Sequence, residues 1–145
     1  MTTLAYDGRM LAADRQLTLG GTPMPLTKIF RLGTELVGLC GSVQESLLFL
    51  EWYQNGKDPN TRPKLSDDFS ALAIIPGKIL RYEHLLKPWL IDLPFWAAGS
   101  GADYALGAMA AGKSAAEAVE IACRFDTGSG LGVDVLEFEE RQGGV

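Results

Sequence analysis

The opening segment Met1-Thr2-Thr3-Leu4-Ala5-Tyr6-Asp7-Gly8-Arg9-Met10-Leu11-Ala12-Ala13-Asp14 decides how this chain folds. Thr2 to Tyr6 reads as a short strand, and Asp7-Gly8 is a hairpin turn signal because both central positions tolerate a positive φ. Arg9 to Ala13 returns as the second strand. The pattern then recurs: Lys28–Leu32 and Glu35–Leu39 form another strand pair around Gly33-Thr34. Between the pairs, Asp14 to Gly21 ends in a Gly-Gly breaker, and the stretch to Pro25 reads as loop. Further strands are expected at Phe69–Ile75, at Lys78–Tyr82 after the Pro76-Gly77 turn, in a short run ending at Ala97-Ala98, and at Gly132–Phe138.

Helical patterns fill the remainder. Ser42–Tyr53 opens on Ser42 as N-cap with Glu45 three residues on, a capping box. Its run Leu47-Leu48-Phe49-Leu50-Glu51-Trp52-Tyr53 is apolar around most of the circumference, as in helices buried on more than one side. Residues 55–68 are polar and Pro-containing, with no room for a long helix. Two more helices are expected at about Ala102–Ala111 and Ser114–Arg124, the latter with a Ser114/Glu117 capping box. Strand pairs joined by tight turns favour antiparallel sheets with helices stacked outside them, so the fold class is α+β. One domain over 1–145 is expected, with 139–145 as a polar tail.

Composition bounds the function. Apolar residues make up 47% and charged residues 21%, ordinary values for a globular chain. A net charge of −5 and the lack of any Lys/Arg run argue against nucleic-acid binding. No apolar stretch approaches the roughly 20 residues that span a bilayer, and no secretory leader is expected. Cys40 and Cys123 lie in apolar surroundings and are expected to pack reduced, which suits the cytoplasm. His84 is the single histidine, and with two distant cysteines a metal site is not expected.

The chemistry begins at Thr2. Once Met1 is removed, this residue carries a hydroxyl and a free α-amine with an unperturbed pKa near 8. A threonine hydroxyl paired with its own N-terminal amine is a nucleophile and base on one residue. Alone, Thr2 reads first as an ordinary disordered terminal residue. Asp14 and Lys28, taken singly, read as a surface pair. Gly41 and Ser42 read as the bend and cap of a helix, and Asp126 and Ser129 as caps of the loop after the last one. Gly99-Ser100-Gly101 comes after a strand and opens a helix, as a dinucleotide loop does. Tyr104 and Ala105 stand where a third glycine is needed, however, and a second helix replaces the required parallel strand.

Taken in order, these segments resemble the proteasome-type threonine peptidases of the N-terminal-nucleophile hydrolases, nearest the bacterial HslV type. Thr2-Thr3-Leu4 matches the family's mature N-terminus and Ala12-Ala13-Asp14 the end of its second strand. Asp14-Arg15-Gln16-Leu17-Thr18-Leu19-Gly20 is similar to D-x-Q-x-T-L-G, and Lys28-Ile29 resembles the conserved lysine position. Gly38-Leu39-Cys40-Gly41-Ser42 resembles the glycine-rich bend, Gly99-Ser100-Gly101 the GSG, and Asp126-Thr127-Gly128-Ser129-Gly130 the D-x-x-S-G. The resemblance implies a four-layer αββα sandwich and a catalytic set of Thr2, Asp14, Lys28, Gly41, Ser100, Asp126 and Ser129. In that set Lys28 favours ionisation of the Thr2 hydroxyl and lowers the amine pKa, and Asp14 neutralises the ammonium. The Gly41 N–H faces the oxyanion, while Ser100, Asp126 and Ser129 orient the amine and a water. Leu39 would floor the pocket for the side chain before the scissile bond, with Leu17, Phe30 and Val43 beside it. Thr18 would pair its backbone with an extended substrate.

The family further implies a polypeptide substrate, a homo-oligomeric ring of one or two layers, a possible ATP-dependent unfoldase, and no cofactor for the chemistry. The chain is shorter than members usually are. Its first hairpin is trimmed by about four residues, an even number that preserves side-chain facing. The second helix of the usual pair, after Tyr53, is shortened or missing. The apolar helix must then be covered by another subunit or by the Trp89–Trp96 region. A small-amide hydrolase on the same scaffold, or a non-catalytic subunit, would share most of these features.

Overall fold

A computed structural model of the protein describes residues 1–138. The strands are β1 (Thr3–Tyr6), β2 (Met10–Asp14), β3 (Gln16–Leu19), β4 (Thr22–Pro25), β5 (Ile29–Leu32) and β6 (Glu35–Cys40). Helix α1 (Val43–Gln54) comes next, then β7 (Ser70–Ile75), β8 (Lys78–Glu83), β9 (Trp89–Ile91) and β10 (Trp96–Gly99). Helices α2 (Ala102–Ala110) and α3 (Ala115–Phe125) precede β11 (Val133–Glu137). The first hairpin pairs Leu4 with Ala13 and Tyr6 with Leu11. Its turn is fastened by the Asp7 carboxylate, which accepts from the N–H groups of Arg9 and Met10 at 2.8 Å each. The polar tail expected at 139–145 lies outside the described residues.

Two antiparallel sheets, ordered β10-β1-β2-β11 and β5-β6-β7-β8-β9, stack face to face. Strand periodicity decides what each buries. Leu4, Tyr6, Leu11 and Ala13 point into the layer between the sheets, against Ile29, Leu36, Leu72 and Ile74. The alternate residues Ala5 and Ala12 point outward and meet Ala105, Ala115, Ala118 and Ala122 of α2 and α3. Small side chains on both surfaces let the helix pair approach the sheet closely. On the opposite face, Phe49, Trp52 and Tyr53 of α1 pack onto Val37, Leu39, Ala71, Ala73 and Tyr82. The result is the αββα sandwich, with one helix instead of two on the α1 side.

Four details differ from the sequence reading. The stretch to Pro25 is not loop: β3 and β4 form a hairpin around Gly20 and Gly21, whose φ angles of +54° and +86° suit a primed turn. All of β4 is exposed, so it carries no burial alternation to read. The three-residue strand β9 is too short to show a pattern. The capping box of α1 is half made. Ser42 accepts from the Glu45 N–H at 3.1 Å, but the Glu45 carboxylate binds the backbone N–H and hydroxyl of Ser66. The Ser114/Glu117 box of α3 is complete.

Finally, the Trp89–Trp96 region does not cover α1, since Trp96 packs against the layer between the sheets. The connection 55–68 folds back instead, with Trp52 Nε1 donating to the Asp58 carbonyl at 2.8 Å and Leu65 against the α1 cluster. Leu47 and Leu48 remain 56% and 45% exposed.

Cys40 is buried and Cys123 half-buried, and both are free thiols. Burial pushes the Cys40 thiol up to about 11, against smaller opposing effects of Ser70, Lys28 and Arg81. At pH 8 roughly one molecule in a thousand would carry the reactive thiolate. Iodoacetamide is therefore expected to leave Cys40 unmodified in the native protein and to label it after denaturation, as read by peptide mass mapping.

Candidate active site

Thr2 immediately precedes β1 and is only 4% exposed. The Gly99-Ser100-Gly101 segment holds it: the Thr2 N–H donates to Ser100 Oγ at 3.2 Å, and the Gly101 N–H donates to the Thr2 carbonyl at 3.2 Å. Glycine is required here for close approach. Gly99 has φ +92°, and a Cβ on it would lie 2.1 Å from the Thr2 carbonyl oxygen, while one on Gly101 would lie 1.9 Å from Thr3 Oγ1. The motif therefore clamps a strand start.

From the other side comes an ion pair. Asp14 ends β2 and Lys28 immediately precedes β5; they are 0% and 5% exposed, with Lys28 Nζ donating to Asp14 Oδ1 at 2.9 Å. The same Oδ1 accepts from the Thr3 N–H at 3.0 Å, and Oδ2 accepts from the N–H groups of Gln16 and Gly130 at 3.0 and 3.1 Å. A buried carboxylate so fully hydrogen-bonded fixes the ammonium in place. Lys28 Nζ also donates to the Met1 carbonyl at 3.0 Å, which sets it directly beside Thr2.

A third group lies at the end of α3. Asp126 Oδ2 accepts from the hydroxyls of Ser100 at 2.7 Å and Ser129 at 2.6 Å, and Ser129 Oγ lies 2.8 Å from Thr3 Oγ1. A hydrogen-bonded path thus runs from the Thr2 nitrogen through Ser100 to Asp126 and Ser129. Burial alone would raise the Asp126 pKa. Donation by Ser129, Ser100 and the Gly128 N–H, with the positive chain terminus, outweighs burial and holds the carboxyl below its ordinary value. A depressed folded pKa adds stability above the unfolded value near 3.9, and this is lost as pH falls through the folded value. Acidification from pH 6 to 3 should therefore cost wild type more stability than Asp126→Asn, as measured by urea unfolding at each pH.

Leu17, Phe30, Leu39 and Val43 line one small apolar cavity together with Thr2, Lys28 and Gly41. Thr18 does not reach it. It lines instead an open groove that runs past Thr2, Gly41 and Ser100. Within the described residues β3 pairs only with β4, leaving its second edge unpaired. Gly41, at φ +125°, lies just beyond β6 and its last ladder pair, Cys40 with Ser70, so its N–H lies outside the sheet.

The sequence reading missed Leu26 and Leu50 in the cavity, and Ser70 and Arg81 in the groove. It also missed Thr3, whose side chain meets Ser129. Strand alternation could have found Arg81, which shares its face of β8 with the core residue Ile79. His84 pairs with Asp67 at 3.5 Å outside the site. Among the described residues no cluster of three or more His, Cys, Asp or Glu offers a metal site, and no helix is long and apolar enough to cross a membrane.

No family model matches the sequence, and no curated protein matches it. Solved structures do. The chain is similar to Thiobacillus denitrificans BPH in complex with epoxomicin at 24% identity and TM-score 0.73, over 97% of this chain and 100% of that one. A second structure of Thiobacillus denitrificans BPH superposes with TM-score 0.71 at 24% identity, over 97% of this chain and 99% of the other. Eukaryotic HslV from Trypanosoma brucei superposes with TM-score 0.72 at 21% identity, over 93% of this chain and 97% of its own. Over nearly its whole length, then, the chain has the αββα sandwich fold of BPH and HslV.

Proposed function

We propose that the protein is a threonine-type endopeptidase acting on unfolded polypeptides or peptides. One observation carries this reading: two separate polar systems, Lys28–Asp14 and Ser100–Asp126–Ser129, converge on a single residue, Thr2. A residue kept only for packing needs neither.

The mechanism starts with the removal of Met1, an ordinary task for a methionine aminopeptidase when the next residue is small. The Thr2 hydroxyl attacks the scissile carbonyl and its proton passes to the Thr2 α-amine. The Lys28 ammonium favours the oxyanionic form of the hydroxyl and keeps the amine neutral enough to act as base. The Gly41 N–H donates to the tetrahedral oxyanion, a contribution worth about 100- to 1000-fold in rate where one donor has been removed from such sites. The amine returns the proton to the leaving nitrogen, and water then resolves the acyl-enzyme. Ser100, Asp126 and Ser129 hold the amine and that water in position.

The apolar cavity takes the side chain before the cleaved bond, and the free edge of β3 at Thr18 receives the extended substrate by strand addition. The exposed Leu47 and Leu48 suit contact with a neighbouring subunit in a homo-oligomeric cytoplasmic ring, to which an ATP-dependent unfoldase would deliver substrate.

Intact mass spectrometry paired with fluorogenic-peptide assays of wild type and Thr2→Ala tests the proposal. A Thr2-initiated wild type is expected to cleave peptides with an apolar residue before the bond, and Thr2→Ala to lose at least about 1000-fold. Epoxomicin, the compound held by one of the structural neighbours, is expected to suppress that turnover. A mature protein without turnover, or equal turnover by Thr2→Ala, would overturn it.

A further inference from the structure

The groove beside Thr2 shares Leu17, Gly41 and Val43 with the apolar cavity, and its lining adds Cys40, Ser70, Gly99, Ser100 and Arg81. Arg81 is the unusual member. It lies on the inner face of β8, in register with Leu72 of β7 and Trp89 of β9, where the neighbouring inward residue is the core side chain Ile79. A guanidinium at such a position ordinarily has a carboxylate partner. The Arg81 guanidinium makes no hydrogen bond or ion pair among the described residues. The nearest carboxylate on its own strand face, Glu83, accepts instead from Trp89 Nε1 at 3.1 Å. Asp68, at the groove's exposed rim, makes no ion pair with it either. Its side chain lines the groove together with the buried Cys40.

We infer that Arg81 is a specificity-determining residue that receives a substrate carboxylate on the leaving-group side of the scissile bond. This rests on the peptidase reading of the same site. The apolar cavity at Thr2 accommodates the acyl portion, so the part of the groove lined by Ser70, Arg81 and Ser100, which the cavity does not share, is left for the departing amine and the residues C-terminal to it. A planar guanidinium with five donors matches a carboxylate in bidentate geometry. The carboxylate can belong to an Asp or Glu side chain or to the free C-terminus of a short peptide.

Two peptide series separate these sources, both with the same apolar residue before the bond. One carries Glu, Gln or Lys after it with an amidated C-terminus. The other has neutral side chains with a free or amidated C-terminus. Wild type is expected to favour Glu over Gln, or the free over the amidated terminus, by roughly ten- to a hundredfold in kcat/KM. Arg81→Gln and Arg81→Leu are expected to erase that preference while cleaving the neutral amidated peptide as wild type does. No preference in either series, or a preference that survives both substitutions, would overturn the inference and leave the peptidase reading standing. Failure to cleave every peptide, the neutral ones included, would overturn that reading and this inference with it.

Discussion

Replacing Lys28 with Met is expected to abolish peptide turnover and to destabilise the fold in the same step. Among the described residues the ammonium is the one charge set against both Thr2 and Asp14, at 2.9 Å from the carboxylate and 3.0 Å from the Met1 carbonyl. Without it, nothing favours ionisation of the Thr2 hydroxyl, and electrostatic contributions of this kind are worth about 100- to 1000-fold in rate. Asp14 would then be a fully buried carboxylate without a counter-ion, a loss of about 3–5 kcal/mol when one partner of such a pair is removed. Lys28→Arg is not expected to rescue turnover, because a planar guanidinium cannot occupy the point-charge position of Nζ. The double variant Asp14→Asn/Lys28→Met separates the two roles. Stability by urea unfolding should recover in part, since no uncompensated charge remains, while turnover stays absent. Recovery of turnover alongside stability would mean that the pair serves the fold alone.

Protein that keeps Met1 is expected to be inactive, by a margin as large as that of Thr2→Ala. With Met1 attached the Thr2 nitrogen is an amide, which donates to Ser100 Oγ and has no lone pair to offer as base. The Met1 carbonyl occupies a donor position of Lys28, and its side chain lies against Gly128, where a Cβ would fall 2.2 Å from the Met1 Cβ. Met1 also lines the apolar cavity. Treating a Met1-retaining preparation with an aminopeptidase, with intact mass tracked against time, should bring turnover up in proportion to the loss of one methionine. Full activity with Met1 still attached would remove the α-amine from the mechanism.

The fold was open to sequence reasoning wherever turn chemistry and alternation agreed. Asp7-Gly8 with Leu4, Tyr6 and Leu11 on one face fixes a hairpin and its buried side together. β3–β4 escaped because Thr22–Pro25 faces solvent throughout and carries prolines, so neither periodicity nor propensity marked it. The partners of α1 escaped for another reason. An apolar circumference says that a helix wants cover but not what supplies it, and Leu65 comes from a stretch that reads as polar loop. At the site, spacing alone could not bring Asp14 to Lys28 or Ser100 to Asp126, since their meeting depends on how two sheets and a helix end stack. Those pairings entered through the resemblance, and the fold sets them within hydrogen-bonding distance. Arg81 was legible in principle, as a charge on the inner face of a strand, but only once β8 was known to lie against the other sheet.

The most direct measurement is to trap the acyl-enzyme. A peptide ester with an apolar residue before the scissile bond is mixed with mature, Thr2-initiated protein, quenched in acid within the first turnovers, and mapped by tandem mass spectrometry. The acyl group is expected on Thr2, with none formed by Thr2→Ala or by protein that retains Met1. An acyl group on any other residue, or hydrolysis that proceeds undiminished in Thr2→Ala, would contradict an N-terminal threonine nucleophile.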